Sequence, residues 1–183
     1  QAMMQDASSF GADHPRVGHL FDRIERFACY DDVSAPQILR VLLDALGPVW
    51  DGRIVIDDYY RLGDTWRHPA IDIAGPTRGL VPFHKLSQWL AYSLIEPLWE
   101  AGLSVSELDG LTGLAEYRNG GLFLDLGVIE PKHRDVVERQ WHPADEPIVE
   151  WRGLTVCLLD EIAPLVRARL GKTTAEMPLA SIL

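Results

Sequence analysis

The sequence is poor in cysteine, in basic charge and in long apolar runs, and each shortage removes a class of function. Its two cysteines, Cys29 and Cys157, lie far apart and form no C-x-x-C pair, so a disulfide scaffold is not expected. They read as small buried hydrophobes in a reducing compartment. Lys and Arg number 17 against 27 Asp and Glu, a net charge of −10, and the basic residues are scattered singly. An acidic body without a basic cluster repels phosphate backbones and anionic lipid, which argues against nucleic acid or a membrane surface as partner. No apolar run approaches the roughly 18 residues that a membrane span needs, and a cytoplasmic protein is expected. Walker, G-x-G-x-x-G, G-x-S-x-G and H-E-x-x-H patterns are all missing. No cofactor and no metal site are therefore expected, which leaves metal-free acid–base chemistry or plain binding.

What is present is ordinary globular composition, 47% hydrophobic and 24% charged. Residues 1–16 have no periodicity and read as a flexible end, and 17–183 as a single helical domain. The chain opens at Gln1 and stops abruptly after the apolar stretch from Met177 to Leu183, so it reads as part of a longer protein. Leu20, Phe21, Ile24, Phe27 and Ala28 recur at helical spacing. Ser34, Pro36 and Gln37 form a capping signature that opens a second helix through Leu46. A small β or irregular element is expected near 53–60. Helix returns from Pro82 to about Ala101 and from about Ile148 to Leu170, each with one internal proline that should kink or break it. The fold class is mainly α.

Two stretches can carry chemistry. On the helix from Pro82, a step of about 100° per residue places His84, Lys85, Gln88, Trp89, Tyr92 and Glu96 on one side, with Leu86, Leu90, Leu94, Ile95 and Leu98 opposite. An imidazole, an ammonium, an amide and two aromatics suit a pocket for a polar small molecule, although a solvated face accounts for them too. The second stretch runs from Asp109 to Gly127. There Thr112 can cap a helix, with Glu116 near its positive end, and Gly120-Gly121 should interrupt that helix or admit a close neighbour. Asp109, Glu116 and Asp125 are acids in apolar surroundings, where separated pKa values supply an acid and a base. The plainer alternative is that Asp109 caps, Glu116 pairs with Arg118 or Lys85, and Asp125 is solvated.

The run from Leu80 to Leu90 (LVPFHKLSQWL), with Leu111 to Gly121 (LTGLAEYRNGG), resembles the uracil-catabolism family of fungi and bacteria, the family of the fourth protein of the URC route. The resemblance includes Gly63-Asp64-Thr65-Trp66 and covers most of the chain from about Val33 onward. Members are about twice as long, which makes this chain resemble their C-terminal half and implies a missing N-terminal half as a partner. A more distant similarity is to the queuosine-salvage N-glycosidases, relatives in fold of the helix-hairpin-helix DNA glycosylases. Their Phe-Tyr-Lys-x-x-Gln motif aligns with Phe83, His84, Lys85 and Gln88, and their Asp-x-Leu-Thr-Met-Phe-Ala-Asp-Tyr-Arg motif with Asp109, Leu111, Thr112, Ala115, Glu116, Tyr117 and Arg118, the departures being His84 for tyrosine, Glu116 for the second aspartate and Asn119-Gly120 where that family has Pro-Gln.

The two resemblances together imply a glycosylase-like helical fold and hydrolysis of the N-ribosidic bond of a ribosylurea or its 5-phosphate. The implied roles are Glu116 or Asp109 as stabiliser or base and His84 as proton donor. Lys85 and Arg118 would orient ribose or a phosphate, and Gln88, Asn119 or His84 would engage the urea. Trp89 and Trp66 would wall the pocket, and Tyr117 and Asp125 complete the expected binding residues for a nucleoside-like substrate. A binding or interaction domain and a ureido amide hydrolase are the competing expectations.

Overall fold

The computed structural model describes residues 2–50, 54–58 and 60–182. In chain order the elements are α1 (Ala2–Gln5), α2 (Ala7–Phe10), α3 (His19–Glu25), β1 (Asp32–Ser34), α4 (Ala35–Leu46), β2 (Val55–Ile56), β3 (Tyr60–Arg61), β4 (Thr65–Arg67), β5 (Leu80–Pro82), α5 (Lys85–Glu100), β6 (Ser104–Ser106), α6 (Tyr117–Asp125), α7 (Asp135–Glu138) and α8 (Glu146–Leu170). The fold is mainly α. Internal contacts divide the chain into two compact units, one of Gln1–Gly63 with Leu86–Leu111 and one of Asp64–Lys85 with Thr112–Leu183.

The first unit is built around α4. Its start follows from the sequence: the Ser34 amide donates to Gln37 Oε1 at 3.0 Å, and Pro36 occupies the first turn, where it costs no hydrogen bond. Ile38, Val41 and Leu42 are fully buried against Leu20 and Ile24 of α3 and Ala91 and Leu98 of α5. Each such side chain contributes about 1.5–3 kcal/mol of burial. Phe10 is 1% exposed in the same core, one large aromatic packed there from a segment of otherwise polar composition. β1 pairs in parallel with β6, Val33 against Val105, and the Asp32 carboxylate accepts the hydroxyls of Ser104 and Ser106. The element expected near 53–60 includes β2 paired antiparallel with β3, Ile56 opposite Tyr60; Arg53 and Tyr59 of that stretch lie outside the described residues.

Several sequence expectations are corrected here. Both cysteines are exposed rather than buried, Cys29 in the turn after α3 and Cys157 on the open side of α8. Helix α5 starts at Lys85 rather than Pro82, because Pro82 belongs to β5 and His84 takes the left-handed φ of +46°. Its buried line is Ser87, Gln88, Ala91 and Leu98, while Leu86 is 50% exposed. Small residues at 87 and 91 let neighbours approach, so the buried face is rotated from the one that hydrophobicity indicates. Neither Pro97 nor Pro164 ends its helix.

In the second unit, β4 and β5 pair antiparallel with Trp66 opposite Val81, and α6 lies against α8. Gly120 and Gly121 lie inside α6 instead of interrupting it. Gly120 is where α8 comes close: Trp151 Nε1 donates to its carbonyl at 3.1 Å, and a Cβ there would sit 2.8 Å from that nitrogen and 2.9 Å from Thr155 Oγ1. Gly120→Ala should therefore destabilise the protein by about 1–3 kcal/mol through overpacking. Gly121→Ala, with open space around the new methyl, should be neutral or stabilising by up to about 1 kcal/mol. Urea unfolding of the two variants checks this, and equal midpoints would refute the close-packing account.

Candidate active site

The chemistry-bearing residues of the second unit gather around Asp64. This residue precedes β4, and its backbone carbonyl accepts the amides of Phe83 (2.9 Å) and His84 (3.3 Å) across the hairpin. Its carboxylate is held by four donors. Arg152 of α8 grips both oxygens, Nη1 to Oδ1 at 2.9 Å and Nη2 to Oδ2 at 2.7 Å. Trp66 Nε1 donates to Oδ1 at 2.7 Å, and the Lys85 amide donates to Oδ2 at 3.1 Å. Burial alone would raise the Asp64 carboxyl, but the hydrogen bonds from Arg152, Trp66 and Lys85 outweigh it and hold it below the ordinary value. The Arg152 guanidinium also lies over the Phe83 ring, 4.1 Å from its centroid.

The corner fixed in this way carries His84 and Lys85. Lys85 Nζ meets Glu116 Oε2 at 2.6 Å, the two side chains being 27% and 23% exposed. Glu116 rather than Thr112 is the cap of α6, since its Oε1 accepts the Tyr117 amide at 3.0 Å; Thr112 Oγ1 donates to the Gly113 carbonyl instead. The Lys85 hydrogen bond, helped by the Tyr117 amide and by the charges of Lys85 and Arg118, holds Glu116 below its ordinary 4.5 in spite of partial desolvation. Glu116 is thus an anion at neutral pH. Burial lowers the His84 imidazole from its ordinary 6.5, and the Asp64 charge opposes that shift without reversing it, so His84 is predominantly neutral at pH 7. Its positive φ is a sparsely populated conformation for a residue with a Cβ, held here by the hydrogen bonds around it.

The other expected site residues separate into two groups. Trp66 stands at the cluster, edge-on to His142 with ring centroids 6.4 Å apart. Asn119 Nδ2 reaches the Leu114 carbonyl at 3.5 Å, and Arg118 lies 5.8 Å from the centroid of the exposed Tyr117 ring. Asp125 is exposed at the far end of α6, nine residues from Glu116, which at 1.5 Å per residue is about 13 Å along the axis. Gln88, Trp89 and Asp109 belong to the first unit. There Gln88 is buried, Trp89 is 56% exposed, and Asp109 is exposed in the short 3₁₀ turn Leu108–Gly110. Asp64 and Arg152 were not among the expected site residues. Asp64 sits in a stretch that the family resemblance includes, whereas Arg152 is 88 positions away with no local signal.

Among the described residues no group of three or more His, Cys, Asp or Glu side chains is placed to hold a metal ion, and no helix is long and apolar enough to cross a membrane. The family described as "Protein of unknown function (DUF1688)" matches residues 1–183. Among curated proteins, the chain is 41% identical over 140 residues to "Protein urg3" of Schizosaccharomyces pombe, covering 74% of this chain and 33% of that protein. It is 37% identical over 198 residues to "Uracil catabolism protein 4" of Lachancea kluyveri, covering 92% of this chain and 44% of that protein. The chain thus spans less than half the length of either relative. No solved structure matches it.

Proposed function

The chain belongs to the uracil-catabolism family that these relatives represent, DUF1688, and from that premise we propose that it acts in uracil catabolism by hydrolysing the N-ribosidic bond of a ribosylurea-type intermediate. The observation that carries the reading is the Lys85–Glu116 contact of 2.6 Å, with the strained, half-buried His84 the residue before Lys85 in the chain. Cleavage of such a bond passes through an oxocarbenium-like state and needs a fixed negative charge near the anomeric carbon. Glu116 supplies that charge. A carboxylate already ionised is suited to stabilising a cation and poorly suited to giving up a proton, so its role is stabiliser rather than acid.

His84, being neutral, takes the role of base in place of the proton donor that the resemblance implies. In the step as proposed, the C1–N bond breaks and a water oxygen bonds to C1. The water gives one proton to the imidazole, which passes it through solvent to the departing urea nitrogen, so the products are ribose and neutral urea and His84 returns to its neutral form. Lys85 orients the substrate and holds Glu116, and Trp66 forms a wall. A helical fold of the glycosylase kind is part of the same proposal. The test is incubation with ribosylurea and with its 5-phosphate, following urea and reducing sugar together.

A further inference from the structure

We infer that Asp64 and Arg152 are positioning residues that set the His84–Lys85 corner of the site. The inference rests on the reading of Glu116, Lys85 and His84 as the reacting cluster. It starts from a count of lone pairs: a carboxylate offers about four acceptor positions, and Asp64 has four donors on its two oxygens, two from Arg152, one from Trp66 and one from the Lys85 amide. No acceptor position remains for a substrate hydroxyl or for water. Arg152 gives Asp64 two of its five N–H groups, one from each terminal nitrogen, and lays its plane over the Phe83 ring.

What this pair does is hold backbone. Asp64 receives the amides of three consecutive residues, Phe83 and His84 at its carbonyl and Lys85 at its carboxylate. Arg152 covers Phe83, the residue just before the left-handed turn. A backbone conformation costing about 1–3 kcal/mol persists only where its surroundings over-determine it. Here β4 and α8 close on the turn, and in doing so they fix where the His84 ring and the Lys85 ammonium begin. A bidentate guanidinium–carboxylate pair fixes angle as well as distance, which an ammonium cannot do.

The experiment compares Arg152→Lys and Asp64→Asn with the unaltered protein by ribosylurea turnover and by NMR of the His84 ring and the amides of residues 83–85. Arg152→Lys keeps the charge and loses the fork. It should fold, lower kcat by about 10²-fold as expected for a misplacement near 1 Å, change KM little, and shift the three amide resonances. Asp64→Asn removes the charge that opposes the burial of His84, so its imidazole should titrate at a lower pH than in the unaltered protein. Loss of activity only in proportion to loss of folded protein, with the His84 ring and the three amides unmoved, would overturn the proposal. Should the unaltered protein release no urea, the hydrolase reading fails while the NMR shifts still decide whether the pair positions the corner.

Discussion

Replacing Glu116 by glutamine is expected to lower kcat for ribosylurea by about 10²–10³-fold, the range seen when one preorganised electrostatic group is removed from a reacting centre. The fold should survive. Glutamine keeps an oxygen to accept the Tyr117 amide, so the cap of α6 remains, and the contact with Lys85 is exposed enough that its loss costs about 0–1 kcal/mol. The thermal midpoint should move by no more than a few degrees. Asp109→Asn serves as the contrast, because the account assigns the stabilising charge to Glu116 alone and Asp109 is exposed in the Leu108–Gly110 turn. Steady-state kinetics with a melting curve for each variant checks both statements. An active Glu116→Gln, or an Asp109→Asn as damaged as Glu116→Gln, would show that the stabilising anion has been assigned to the wrong residue.

The second large effect is on pH dependence, and its sign follows from burial. Because burial lowers the His84 pKa, the neutral base form dominates down to a pH below the ordinary 6.5. Activity should therefore rise with pH through an acid limb whose midpoint lies below 6.5 and stay flat through neutrality. Glu116 adds no limb in that range, since Lys85 and the Tyr117 amide hold it below 4.5. His84→Gln should lower the plateau by about 10²–10⁴-fold, the usual worth of a general base, and remove the acid limb. A pH–rate profile on both proteins is the check. Activity that falls as pH rises through 6 to 7 would mean that the reacting form carries an imidazolium, and His84 would return to the role of donor.

The parts of the structure that could be read from sequence are those with a local physical signature. The capping residues Ser34, Pro36 and Gln37 act within one turn, and α4 starts where they place it. Lys85 and Glu116 were both legible as candidates, and their pairing was one of the alternatives that the residue types allowed. The position of the α6 cap was not legible: Thr112 is the residue type that usually caps, yet the helix begins only after Glu116, whose carboxylate accepts the Tyr117 amide. His84 was expected on a helix; the pull of Asp64 on three successive amides, made over some twenty residues of chain, turned it into a left-handed corner instead. Arg152 was hidden for the same reason. On its own helix it is one more charged residue, and its importance arises from a partner 88 positions earlier.

The most direct test is to follow urea, reducing sugar and ammonia together while the protein is incubated with ribosylurea and, in parallel, with its 5-phosphate. The account predicts urea and ribose, or ribose 5-phosphate, in equal amounts and no ammonia, with Glu116→Gln releasing both about 10²–10³-fold more slowly. Ammonia and carbon dioxide without free sugar would contradict it in favour of ureido hydrolysis, and saturable binding without any product would contradict it in favour of a nucleoside-binding module.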